Sequence, residues 1–259
     1  MDDLVVRDRI KTWLDPPDTS TEYNAAKEKR YPQTGDWLIN SDIFSKWVLG
    51  SSRYLWLHGH SGCGKTVLAS TIIDHLHSNQ AVCGITLKFF FTSADASKRT
   101  PDAMLRSLAF QLFSRVTDAG KTINGLFDEY GGEQPTTDSL SRAVREMMQV
   151  SERLNIVLDA LDECTGRYEL LEWLNEFSTG HHPNVHIIAT SRYEEEFNMD
   201  FREWTQEDLG YSAKQLIMED IKCYVHAKLQ EDPFRRRWVS DSAVLQEMES
   251  TVVKKAGGM

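Results

Sequence analysis

Long apolar runs are missing from this sequence. No stretch reaches the ~18 residues that a membrane span requires, and the acidic start MDDLVVRDR is not a signal peptide. Cysteine is scarce as well. The four present, Cys63, Cys83, Cys164 and Cys223, are far apart and show no C-x-x-C spacing, which speaks against a zinc site or a disulfide framework. A reducing, cytoplasmic location follows. There is no excess of positive charge: 29 Lys and Arg stand against 39 Asp and Glu, a net charge of −10. Nucleic acid is therefore not the expected partner. The one basic cluster, Arg235 to Arg237, is short and reads as a solvated helix face or loop. Internal repeats and low-complexity segments are absent too. What is there is enough for a core: 259 residues, 41% hydrophobic, with seven Trp and eleven Phe.

The pattern begins with a helix from Val5 to Leu14, which Asp15-Pro16-Pro17 stops. A second helix spans Asp42 to Leu49, with Ile43, Phe44, Trp47 and Val48 on one side. From Tyr54 strands and helices alternate. Strands are expected at Tyr54 to Leu57, Gly84 to Thr92, Leu154 to Cys164 and Val185 to Arg192, with a weaker fifth around Gln215 to Met218. Helices are expected over Thr66 to His77, after Thr100-Pro101, over Tyr168 to Phe177, and over Glu219 to Leu229. The run from about Asp232 reads as helical and polar. This alternation implies a parallel sheet covered on both faces, and the third strand is apolar without alternation, as such a sheet demands.

One stretch carries chemistry directly. Gly59-His60-Ser61-Gly62-Cys63-Gly64-Lys65-Thr66 fits G-x-x-x-x-G-K-[ST]. Glycines let the backbone wrap closely around an anion, and the next helix presents its N-terminus to it. Lys65 is expected to reach the β- and γ-phosphates, and Thr66 to give its hydroxyl to Mg²⁺. A metal pair at His58 and His60 is the disfavoured alternative, because this loop's geometry serves phosphate. His181-His182 reads as a polar loop.

Asp159 ends the apolar run IVLD, at the edge where parallel sheets bind ligands. A carboxylate there can hold the Mg²⁺ shell beside a phosphate loop. Asp162 and Glu163 follow within one turn; one of them, Glu163 for preference, could orient or deprotonate an attacking water. The competing reading is that the two acids cap the next helix. Thr190, Ser191 and Arg192 end the fourth strand, and an Arg there can sense or stabilise phosphate charge.

Taken together, these residues resemble the NACHT branch of the STAND P-loop NTPases, in particular the nephrocystin-type modules of fungal NOD-like receptors with ankyrin or WD repeats. The resemblance rests on TGDWLINSDIFSKW (Thr34 to Trp47), LWLHGHSGCGKTVLAS, KFFFTSADASKRTPDAMLRSLAFQL, IVLDALDEC and IIATSR, and spans about Ile10 to the end of the chain. It implies an α/β three-layer P-loop NTPase sandwich with a mainly parallel five-stranded sheet and helical segments at both ends. In that sheet the cradle strand lies between the sensor strand and an outer strand, with the acidic strand beyond the sensor. It implies ATP or GTP with Mg²⁺, slow hydrolysis, and self-association or repeat-borne protein partners in a longer protein. It places Thr34, Gly35 and Trp37 around the base. Ser61 stands where the family usually has proline; that position contributes backbone, so the change is expected to be tolerated.

The expected organisation is a helical and linker segment over residues 1–40 that contributes to the base pocket, an NTPase core over 41–230, and the start of a C-terminal helical region over 231–259. The expected function is a nucleotide-operated signalling switch. Alternatives from other classes are a small-molecule P-loop kinase, for which no Arg-rich lid is visible, and an AAA-type motor or a scaffold holding a structural nucleotide.

Overall fold

The computed structural model describes residues 3–178, 182–230 and 242–256. Four helices precede the sheet: α1 (Asp3–Leu14), α2 (Ser20–Lys29), α3 (Asp36–Ile39) and α4 (Asp42–Val48). Then come β1 (Tyr54–His58), α5 (Lys65–Ser78), α6 (Gln80–Cys83), β2 (Ile85–Phe90), α7 (Pro101–Arg115), α8 (Ala119–Glu129) and α9 (Thr137–Gln149). The remaining elements are β3 (Leu154–Asp159), α10 (Arg167–Ser178), β4 (Val185–Ser191), α11 (Glu195–Asp200), β5 (Thr205–Asp208), α12 (Lys214–Gln230) and α13 (Ser242–Ala256). Arg235 to Arg237 and His181 lie outside the described residues.

All five strands are parallel, in the order β2-β3-β4-β1-β5. β1 therefore sits between β4 and the outer strand β5, with β3 beyond β4, as the family resemblance implies. Every residue of β1, β3 and β4 is buried, because helices cover both faces. Side chains alternate between the two layers. Trp56, Ile156, Leu158 and Ile187 point into the layer of α1, α7, α8, α9 and α10. Leu55, Leu57, Val157 and Ile188 point into the layer of α4 and α5. The Thr100 hydroxyl accepts the Ala103 N–H at 3.2 Å and so caps α7, with Pro101 in its first turn.

One expected strand is wrong. Gln215 to Met218 form the opening turns of α12, and the fifth strand is Thr205–Asp208. Among the described residues that strand pairs only with β1, in register from Leu55↔Thr205 to His58↔Asp208. It is an edge strand of four half-buried polar residues, so it carries no apolar signature. The third strand is also shorter than read: it stops at Asp159, and a 3₁₀ turn over Leu161–Glu163 follows.

Candidate functional site

β1 delivers the chain to the C-terminal edge of the sheet, where residues Gly59 to Gly64 turn back into α5. A Cβ on Gly59 would lie 2.9 Å from Cys63 Sγ and 3.1 Å from Leu209 Cβ, so no side chain fits there. Gly64, at the N-cap of α5, has φ +93°, which L residues rarely adopt. Lys65 folds back over the loop, and its Nζ donates to the carbonyls of Gly59 and His60, both at 2.8 Å. His58 is buried between the rings of Trp56 and Tyr193, at 4.4 and 5.3 Å. Burial holds its pKa below the usual histidine value, against the pull of Asp208 and Glu207.

Asp159 ends β3 beside the loop and is almost completely buried. The Thr190 hydroxyl, from the neighbouring β4, donates to Asp159 Oδ1 at 2.6 Å and accepts the Ala160 N–H at 3.1 Å. Thr66 hydrogen-bonds the same carboxyl. Burial outweighs these bonds and the charge of Lys65, and pushes the Asp159 pKa up to about 6. Ala160 then takes a left-handed conformation, φ 58° and ψ 52°, which costs about 1–2 kcal/mol for a residue with a Cβ. This kink turns the next residues back toward the cradle. Asp162 accepts from the Arg192 backbone N–H at 2.9 Å and from its Nε at 2.6 Å. Glu163 Oε2 accepts the Ser93 N–H at 2.5 Å. The two acids and Arg192 thus stand at one site, each already engaged.

A cavity of about 400 Å³ brings most of the named residues together: Ser61, Gly62, Gly64, Lys65 and Thr66 on one wall, Asp159, Asp162, Glu163 and Arg192 on another. A second cavity of about 390 Å³ shares Gly62 but lies on the other side of the loop. Its lining includes His60, Cys63, Leu209, Ile217 and Ile221. Thr34, Gly35 and Trp37 line neither cavity. The Gly35 N–H and Trp37 Nε1 both donate to Asp220 Oδ2 on α12, at 2.8 and 3.0 Å, and the Thr34 hydroxyl donates to the Tyr31 carbonyl at 2.7 Å. This segment is tied to the helix that walls the second cavity.

Sequence reasoning missed the third wall of the first cavity. It is helix α2, through Glu22, Ala25, Ala26 and Lys29. α2 is held by Glu22, whose carboxylate receives Lys98 Nζ at 2.8 Å on both oxygens, and by Tyr23 and Lys27, which both reach Asp74 on α5. Lys88 Nζ sits 3.5 Å from the centre of the Tyr23 ring. Only Ala26 of α2 is buried, so no apolar stripe announced the helix.

The oxygen donors Thr66 and Asp159 suit a hard divalent cation such as Mg²⁺. Among the described residues no group of three or more His, Cys, Asp or Glu could hold a metal ion by itself. Such a cation would need further oxygens, which phosphates and water provide. Nor is any helix among the described residues long and apolar enough to cross a membrane.

The family described as "Nephrocystin 3, N-terminal" matches residues 33–192, more than half of the chain and all of the cradle, the acids and Arg192. The chain belongs to the nephrocystin-3 N-terminal family. This is a NACHT-like family of P-loop NTPases. A relative within reach of this family member is the vegetative incompatibility protein HET-E-1 of Podospora anserina, 26% identical over 187 residues. That alignment takes in 69% of this chain but 14% of HET-E-1, so the chain spans a small part of that relative's length. Among solved structures, the Aeropyrum pernix ORC1 protein in complex with DNA is similar with a TM-score of 0.47 and 13% identity, over 77% of this chain and 59% of that one. A DNA replication initiation factor gives 0.42 and 12%, over 86% and 64%. These two likenesses are distant.

Proposed function

We propose that this nephrocystin-3 N-terminal module binds a nucleoside triphosphate with Mg²⁺ and acts as a switch, hydrolysing it slowly. The observation that carries this reading is the one cavity in which the glycine loop, Lys65 and Thr66 face the buried Asp159 carboxyl, Arg192 and the acid pair. Loop N–H groups and the α5 N-terminus receive the phosphates. Lys65 exchanges two loop carbonyls for phosphate oxygens. Thr66 and Asp159 would hold the cation, which would neutralise charge on the phosphates. Arg192 leaves Asp162 for the terminal phosphate, and that exchange frees the Asp162 carboxylate. Asp162 or Glu163 then orients the attacking water. Because Arg192 and Glu163 have protein partners to give up, Arg192 to Asp162 and Glu163 to the Ser93 N–H, triphosphate and diphosphate favour different arrangements. That differential affinity is what a switch requires.

The second cavity takes the base, against Leu209, Ile217 and Ile221, while Gly35 and Trp37 set the position of α12 through Asp220. A place in a larger signalling protein, with self-association or repeat-borne partners, is the corresponding proposal for the whole protein. Titration calorimetry with ATP and with GTP, each with and without Mg²⁺, tests the reading. We expect one-to-one binding that Mg²⁺ strengthens and that Lys65→Ala weakens by about a hundredfold or more, in line with losing a charge-assisted phosphate contact. Equal affinity in the two proteins would contradict it.

A further inference from the structure

The carboxylates and cations around the phosphate cavity are nearly all spoken for. Glu22 holds Lys98, Asp162 holds Arg192, Glu163 holds the Ser93 N–H, and Lys65 holds two carbonyls. Lys29 is the exception. It lines the cavity from the last turn of α2, and no described residue pairs with it. α2 is fixed there by contacts that do not involve Lys29: Glu22 to Lys98, and Tyr23 and Lys27 to Asp74. Small residues, Ala25 and Ala26, face the cavity beside it and leave its volume open.

We propose that α2 is the roof of the nucleotide site and that Lys29 is a ligand of the terminal phosphate, supplied from outside the glycine loop. The proposal rests on the nucleotide reading above. The wall opposite the loop holds Asp159, Asp162, Glu163 and Arg192, so this cavity is the end where the terminal phosphate lies, and the cavity beyond Gly62, with Leu209, Ile217 and Ile221 in its lining, is the base end. A triphosphate brings about four negative charges, more than Lys65, Arg192 and one divalent cation neutralise when an acid pair stands alongside. A third, unpaired ammonium on the roof meets that excess. Its action is selective: a diphosphate ends before reaching it, so Lys29 favours triphosphate over diphosphate. A lysine in the last turn also suits the helix dipole, but that role predicts a change in stability and none in nucleotide preference.

The test uses fluorescent N-methylanthraniloyl ATP and ADP, and the GTP and GDP counterparts, with wild type, Lys65→Ala, Lys29→Met, Lys29→Arg and Ala25→Glu. We expect Lys29→Met to weaken triphosphate binding by about three- to tenfold, the size of one partly exposed charge pair against phosphate. Diphosphate binding and the melting temperature of the free protein stay as in wild type. Lys29→Arg keeps wild-type affinity, and Ala25→Glu, which puts a carboxylate on the cavity wall beside Lys29, repeats the selective loss. Unchanged triphosphate affinity in Lys29→Met, with binding abolished in Lys65→Ala, overturns the role of Lys29 and leaves the cradle reading standing. A loss shared equally by di- and triphosphate overturns the assignment to the terminal phosphate. If wild type binds none of the probes, or Lys65→Ala binds like wild type, the nucleotide reading falls and this proposal with it.

Discussion

Residues Gly59 to Thr66 keep their shape through the backbone: a glycine where no Cβ fits, a second at φ +93°, and a helix start that supplies N–H groups. Helix α2, across the same cavity, is anchored by side chains. Its anchors, Glu22 to Lys98 and Tyr23 to Asp74, join residues 76 and 51 positions apart. One wall is encoded in eight consecutive residues, the other in pairs that exist only after folding. The first is rigid by local geometry. The second can be loosened by losing one partner, which suits a roof that must admit and release a nucleotide.

Four substitutions sharpen that contrast. The largest effect is expected at Asp159, on the rigid side. Asp159→Asn keeps the shape but removes the charge, so Mg²⁺-dependent strengthening of nucleotide binding in calorimetry should fall by about a hundredfold. The same change should stabilise the free protein. The Asp159 pKa is raised from 3.8 to about 6. A raised carboxyl contributes stability that is complete below the unfolded value and is lost as pH rises through the folded one. Wild type should therefore weaken relative to the Asn variant between pH 4 and pH 6, by on the order of 2–3 kcal/mol at the plateau, readable in urea denaturation across that range.

Next comes Thr190→Val, which has nearly the same shape. It leaves the Ala160 N–H and the Asp159 carboxyl without their shared hydroxyl, and should cost about 2–3 kcal/mol in chemical denaturation, with Thr190→Ser recovering most of it. On the roof, Lys98→Met removes a nearly buried cation from Glu22. We expect a loss of about 2 kcal/mol, smaller than for a fully buried pair because Glu22 is partly exposed. Glu22→Gln in the same chain should return part of it, which a double-mutant cycle measures.

The smallest effect is expected at Lys88, under the Tyr23 ring. Burial lowers its pKa from 10.5 to about 8. A depressed lysine contributes stability present above the unfolded value and lost as pH falls through the folded one. Lys88→Met should thus melt a few degrees higher than wild type at pH 7, and the gap should close as pH rises from 8 toward 10.5.

The same contrast governs what could be read from the sequence. The cradle, Asp159, the acid pair and Arg192 announce themselves because strand, loop and helix signals coincide within short windows. Four of the five strands were legible, since each is an apolar run under helices. β5 was not, because TQED is polar at a half-exposed edge and the apolar QLIM nearby belongs to a helix. α9 could have been read: Leu140, Ala143, Val144, Met147 and Met148 recur at helical spacing behind the Thr136 cap. α2 could not. It buries only Ala26, and its reason for being where it is lies in Lys98 and Asp74. The pairing of Asp220 with Gly35 and Trp37, and the grip of Thr190 on Asp159, are likewise facts of folding between distant segments.

The most direct test of the nucleotide site is to purify the chain, denature it, and separate any released nucleotide by chromatography, with Lys65→Ala alongside. Near-stoichiometric ADP or GDP from wild type and none from the variant is the predicted result, and it would identify the base. Nucleotide released equally by both proteins would contradict the account, because Lys65 would then have no part in holding phosphate.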